Sequence, residues 1–120
     1  MGDRACVIFF DATHVSPTVY LHWHGDSVPA WLDELKTRMT GRYSDAQYAA
    51  ARFVGLCHER ISGNLSLGIW SNVLTLKELR DPIRMGDESP GNAGVVVVDT
   101  SDFTWKAYAG YLEANDGRRS

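Results

Sequence analysis

Residues 18–25 read Thr18-Val19-Tyr20-Leu21-His22-Trp23-His24-Gly25. On a strand, alternate side chains share a face. Val19, Leu21 and Trp23 therefore make one face of a strand over residues 18–24, and Tyr20, His22 and His24 make the other. The first face is the apolar one and is assigned to the core. Gly25-Asp26-Ser27 then turns the chain toward a helix. Upstream, the run Ala5-Cys6-Val7-Ile8-Phe9-Phe10 is rich in β-branched and aromatic residues, the signature of a buried strand. The simplest pairing of these two strands is a hairpin, with Pro17 kept out of any central pairing.

The downstream pattern is helical. Val28, Trp31, Leu32, Leu35 and Met39 recur at spacings of three and four. Asp26 or Ser27 caps this stripe, Pro29 is tolerated in its first turn, and Gly41 ends it. Ser44 with Gln47 reads as a capping box for a second helix, with Tyr43 stapled onto Tyr48. Ala46, Ala49, Ala50, Phe53, Val54 and Cys57 form its apolar face, and Gly63 is its stop. A third strand is expected over residues 64–70, with Leu65, Leu67 and Ile69 on one face and Gly68 marking a bulge or a close backbone approach. Thr75 and Glu78 make another capping box, stopped at Asp81-Pro82. Residues 83–92 read as a long loop. Val95-Val96-Val97-Val98 reads as a strand covered on both faces, and residues 103–109 as a final hairpin strand with a wetter face.

The order β-β-α-α-β-β-β segregates helices from strands. It predicts an α+β two-layer sandwich, a mostly antiparallel sheet of about five strands with two helices on one face. The face bearing His22 and His24 is expected to stay open. Residues 1–112 form one domain, and residues 113–120, with little apolar material, a flexible tail.

Composition narrows the function. The 120 residues carry a net charge of −3, 44% hydrophobic and 22% charged residues, values of an ordinary globular domain. There is no basic stripe to offset phosphates, so nucleic acid is not the expected partner. The apolar run after Met1-Gly2-Asp3-Arg4 is too short for a signal peptide or a membrane span. A cytoplasmic protein is expected, and Cys6 and Cys57 then stay free, buried thiols.

Further residues resemble a family of small uncharacterised proteins of bacteria, archaea and phages. The likeness rests on Tyr20, His22, Trp23 and Gly25, which match a Tyr-x-His-Trp-x-Gly signature. It continues through Ala51-Arg52-Phe53, Gly68-Ile69, and Val95 to Asp99. Members carry Asp or Gly where this chain has His24, so a paired-histidine site is not a family property. The resemblance implies the α+β fold and a phage or mobile-element origin. It implies no activity.

Candidate chemistry is sparse. His22 and His24, with His14 or Asp26, offer imidazole and carboxylate ligands of the kind zinc takes, as in a metal-binding domain or a metal-dependent hydrolase. The competing reading is two histidines on a solvated face. Cys57 has His58 beside it in sequence, but consecutive helical side chains diverge by about 100° and cannot form a nucleophile–base pair. Asp11, Asp26, Asp99 and Asp102 sit at strand ends and turns, where Asp is an ordinary turn and capping residue. No phosphate-binding loop, dinucleotide fingerprint, nucleophile elbow or HExxH motif is present.

Four tryptophans, five tyrosines and four phenylalanines exceed what one thin core obviously needs. Trp, Tyr and Arg dominate interface centres. Tyr20, His22, His24, Trp70 and Tyr108 are therefore the candidate contact surface of a non-enzymatic protein-binding module. Its target, on the phage resemblance, is a host protein such as a defence component. No cofactor is expected on this reading, and an edge strand pairing with itself would make a structural homodimer. One measurement separates the metal reading from the binding one. Zinc at His22 and His24 predicts stoichiometric metal in untagged protein and a melting temperature lowered by chelator. The binding module predicts neither.

Overall fold

The valine run sits at the centre of the sheet. The protein is described by a computed structural model covering residues 2–61 and 66–114. Gly63, Asn64 and Leu65 lie outside the described residues, as do residues 115–120 of the expected tail. The strands are β1 (Ala5–Phe10), β2 (Thr18–Leu21), β3 (Leu67–Trp70), β4 (Gly94–Asp99) and β5 (Thr104–Tyr108). The helices are α1 (Val28–Arg38), α2 (Ala46–Arg60) and α3 (Pro82–Glu88). Short 3-10 turns cover Gly25–Ser27 and Glu78–Arg80. The fold is α+β, and the sheet order is β3-β2-β1-β4-β5.

The β1–β2 and β4–β5 pairs are antiparallel hairpin neighbours, and the β2–β3 pair, joined through α1 and α2, is also antiparallel. The β1–β4 pair is parallel, with Ala5 opposite Gly94 through to Phe10 opposite Asp99. Parallel strands are buried on both faces and read as unbroken apolar runs. Both β1 and β4 follow this rule, with nearly every residue buried. Val7, Phe9, Val96 and Val98 pack under α1 and α2 with Leu32, Leu35, Phe53 and Leu56. Phe9 meets Phe53 edge-on at 5.5 Å. Cys6, Ile8, Val95 and Val97 face the opposite way and pack on Leu74, Leu79 and Met85.

That second cluster refines the expected open face. The helix pair covers one face as anticipated, and a smaller layer covers the β1–β4 half of the other. It is built by Leu74 and Leu79 together with Met85, which lies in the segment read as a loop, residues 83–92, whose first part belongs to α3. Asp81 and Pro82, read as the stop of the preceding turn, are instead a helix start. The Asp81 carboxylate accepts from the Ile83 and Arg84 amides at 3.0 and 3.4 Å, and Pro82 occupies the first helical position, where its missing N–H costs nothing. The Thr75–Glu78 capping box forms reciprocally at 2.9 and 3.2 Å.

The expected Ser44 capping box does not form. Ser44 adopts φ 64° and donates its amide to Thr100 O at 2.9 Å. Asp45 is the cap, accepting from the Tyr48 amide at 3.1 Å. Tyr43 accordingly packs on Phe103 at 5.1 Å rather than on Tyr48.

Backbone approach at the start of β4 is too close for a side chain. Gly94 has φ +100°, and a Cβ there would lie 2.4 Å from Tyr108 O. Gly55, on the exposed side of α2, meets nothing within 4 Å. No helix among the described residues is long and apolar enough to cross a membrane. Two substitutions test this account by urea unfolding. Gly94→Ala is expected to lower stability by about 2 kcal/mol or more, from strain at positive φ. Gly55→Ala is expected to raise it by roughly 0.5–1 kcal/mol, the cost of glycine within a helix. Equal effects of the two would contradict the placement of Gly94.

Candidate functional site

The segment after β2 departs from the strand that its alternation predicts. Pairing with β1 ends at Leu21, and the chain bends through His22 and Trp23. The cause is Gly25. It is buried, and a Cβ there would lie 2.8 Å from both Ala93 Cβ and Asp3 O. Its amide donates to Asp3 O at 2.7 Å, and the Asp3 amide donates to His22 O at 2.7 Å. Drawing Gly25 inward swings Trp23 outward. Trp23, expected on the core face beside Leu21, is 46% exposed, while Leu21 is fully buried.

The bend also separates the two imidazoles. His22 stays on the Tyr20 side, with its Nδ1 2.7 Å from the Tyr20 hydroxyl. His24 precedes the 3-10 turn and its ring lies over Trp31 of α1 at 5.5 Å. Asp26 is exposed, and its amide donates to the Asp3 carboxylate at 3.0 Å. His14 lies past the other end of β1, hydrogen bonded through Nδ1 to Thr13 Oγ1 at 2.8 Å. The length of β1, roughly 17 Å at strand rise, separates His14 from His22. The residues of the proposed zinc set thus do not converge. Among the described residues no group of three or more His, Cys, Asp or Glu side chains is placed to hold a metal ion.

On the second face of β2 and β3 four rings form a continuous row. Trp70 stacks on Tyr20 at 5.3 Å and 29°. Tyr20 tilts against His22 at 6.0 Å, and His22 meets Trp23 edge-on at 4.8 Å. Gly68 lies opposite Tyr20 across the β2–β3 pair, so the tyrosine ring rests over bare backbone. The Leu74–Leu79–Met85 layer reaches Tyr20 but leaves Trp70 47% exposed. Ile69, on the opposite face of β3, and Val73 are also exposed. Of the five residues expected at a contact surface, Tyr20, His22 and Trp70 belong to the row. His24 does not, and Tyr108 is buried in the second cluster. Trp23 joins it instead. Its exposure has no sequence signal short of recognising that Gly25 must be buried.

The other chemical groups are committed to structure. Both thiols are buried and free. Burial pushes each up to about 12, with the Glu88 carboxylate adding to the effect at Cys6, so neither supplies a thiolate near neutral pH. His58 points to solvent while Cys57 is buried. Arg38 binds Glu34 and Glu59, Arg60 binds Glu34, and Arg42 binds Asp45. These pairs leave a balanced helix face rather than a basic one.

Beyond the ends of the parallel strands β1 and β4 is a cleft of about 320 Å³, lined by Phe10, Asp11, Ala12, Ser44, Leu76, Arg80, Asp99 and Ser101. Crevices of this kind often bind ligands, but its carboxylates are already engaged. Asp99 Oδ1 accepts from the Ser101 amide and hydroxyl at 2.9 and 2.7 Å. Asp11 accepts from the amides of Thr13, His14 and Ala46 at 2.9, 2.8 and 2.9 Å, tying the end of β1 to the start of α2. No protein-family model matches the chain, and neither curated proteins nor solved structures give a match.

Asp11 gives the site a pH signature. Burial pushes its carboxyl up, yet the Ala46, Thr13 and His14 amides and the nearby His14 ring outweigh this and hold it at about 2, below the ordinary 3.8. Because the folded value is the lower one, the carboxylate's contribution is complete above pH 4 and is lost as the pH falls toward 2. About 1–2 kcal/mol of stability is expected to disappear across that window. Unfolding free energies measured from pH 5 to pH 2 check this: Asp11→Asn should be less stable at pH 5 and flatter below pH 4. A variant slope equal to that of the wild type would contradict it.

Proposed function

We propose that the chain is a non-enzymatic protein-binding module whose contact surface is the row Trp70–Tyr20–His22–Trp23. The observation that carries this reading is the exposure of two tryptophans, Trp70 on β3 and Trp23 just past β2, each held by ring contacts. Large rigid aromatics with one polar edge give contact area at little entropic cost and are the side chains that dominate interface centres. The His22–Tyr20 hydrogen bond fixes both rings before any partner arrives, which reduces the ordering cost of binding. The engaged carboxylates and raised thiols supply no competing catalytic constellation among the described residues. A cytoplasmic setting, a mobile-element origin and a host protein as target belong to the same proposal, and the buried free thiols fit a reducing compartment.

Affinity capture from the native cell tests the surface directly. The wild-type chain is expected to retain a stoichiometric protein partner that Trp23→Ser/Trp70→Ser loses. Both side chains are about half exposed, so the double variant should keep its fold, at the cost of about 0.5–1.5 kcal/mol for the lost Tyr20 stack. Equal capture by the double variant, or no stoichiometric partner for either protein, would remove this surface as the binding site.

A further inference from the structure

We infer that β3 pairs antiparallel with β3 of a second copy of this chain, forming a reversible symmetric dimer in which Trp70 of each copy lies over Gly68 of the other. This pairing uses the main-chain edge of the sheet; it shares Trp70 with the heterologous contact proposed above but is argued from different observations and tested separately.

Among the described residues, no strand lies on the outer side of β3. The His22 amide donates to Ser66 O at 2.9 Å. In an antiparallel ladder, hydrogen-bonded pairs alternate with non-bonded ones. With Tyr20 opposite Gly68 and Thr18 opposite Trp70, Gly68 and Trp70 direct their amides and carbonyls toward β2. Leu67 and Ile69 direct theirs outward, where no strand meets them. Edge strands normally carry a lysine, a proline or an inward charge that blocks such pairing. The opposite edge follows the rule, since β5 carries the exposed Lys106. The β3 sequence Leu67-Gly68-Ile69-Trp70 carries no such block.

The side chains select both the occupant and the register. An antiparallel copy must bond through Leu67 and Ile69, the two residues whose groups are free. Centring the pair on Ile69 sets Ile69 against its own copy on the helix side of the sheet. On the other side it sets Trp70 against the partner's Gly68, in a non-hydrogen-bonded pair where the strands come closest. Gly68 adds no side chain of its own there, so the partner's indole packs beside the Tyr20 ring, whose nearest atom lies 3.8 Å from a Cβ built at Gly68. Each β3 therefore holds both the bulk and the space that the other copy needs, which is the self-complementarity a two-fold interface requires.

The area sets the strength. Ile69 and Trp70 are 54 and 47% exposed. Together they leave on the order of 200 Å² of side chain in water per copy, since a tryptophan alone carries up to about 250 Å². Two copies, with their newly covered main chain, stay below the roughly 1,000 Å² that a stable specific interface needs. The dimer is accordingly weak and concentration-dependent rather than obligate.

Sedimentation velocity on the purified chain, from roughly 1 μM to roughly 1 mM, reads such an association. The wild type is expected to move from the mass of one chain toward twice that mass. Gly68→Val fills the space that Trp70 of the other copy would occupy. In the single chain it is tolerated, because a Cβ at position 68 meets only Tyr20 atoms at 3.8 and 4.0 Å. Ile69→Lys places a charge on the edge at a side chain that is already half exposed. Both variants are expected to stay at the mass of one chain while keeping the wild-type circular dichroism spectrum. A wild type that remains a single chain across the whole range overturns the inference, whatever the variants do. So does a folded Gly68→Val or Ile69→Lys protein that associates as the wild type does. Because no other protein is present, failure here leaves the heterologous contact untouched, and failure of affinity capture leaves the dimer untouched.

Discussion

The parallel pairing of β1 with β4 is the constraint on which the rest of the structure depends. Six consecutive residues of each strand lie in register, and a parallel pair of this kind must be buried on both faces. One face receives two amphipathic helices. The other receives the smaller set Leu74, Leu79 and Met85, carried by the segment before the Glu78–Arg80 turn, the turn itself and the seven-residue α3. That smaller layer covers β1 and β4 and reaches Tyr20 of β2. The β2–β3 half of the same face is left with Tyr20, His22 and Trp70 in partial contact with water. The exposed aromatic row is thus a consequence of how the central strands divide the available apolar cover, not an isolated surface accident.

A second constraint shapes the row itself. Gly25 must approach Ala93 and Asp3 more closely than any side chain allows. The bend that brings it inward ends β2 at Leu21, turns Trp23 outward and sends His24 to α1. Imidazoles two residues apart on a straight strand would have been neighbours. On this bent segment one is held by a tyrosine hydroxyl and the other lies against a tryptophan. The same bend takes apart the proposed zinc set and supplies the fourth ring of the aromatic row.

Much of the fold was legible in the sequence because it rests on periodicity. The apolar runs of β1 and β4, the stripe Val28, Leu32, Leu35, Met39, and the face Ala46, Ala49, Ala50, Phe53 and Cys57 each have one physical solution. The errors fall where a local signal has two meanings. Asp81-Pro82 stops one turn and starts the next helix equally well, and only the burial of Met85 against Cys6 and Ile8 decides between them. Ser44 and Asp45 are both good caps, and the Thr100 carbonyl claims the Ser44 amide. Trp23 obeys strand alternation until a glycine contact with the distant Ala93 overrides it. Of the candidate site, Tyr20, His22 and Trp70 were readable as one face of paired strands. Tyr108 was not excluded, because its cover comes from a helix that the sequence disguised as a loop.

The central claim is that β3 is a formed strand whose outer edge meets no other strand among the described residues. Residue-resolved amide hydrogen exchange on dilute protein tests it most directly. The account predicts alternation along one strand: slow exchange at Gly68 and Trp70, whose amides face β2, and fast exchange at Leu67 and Ile69, whose amides face outward. Uniform protection of all four would mean that the edge is already covered. Uniform fast exchange would mean that β3 does not form. Either result would contradict the account.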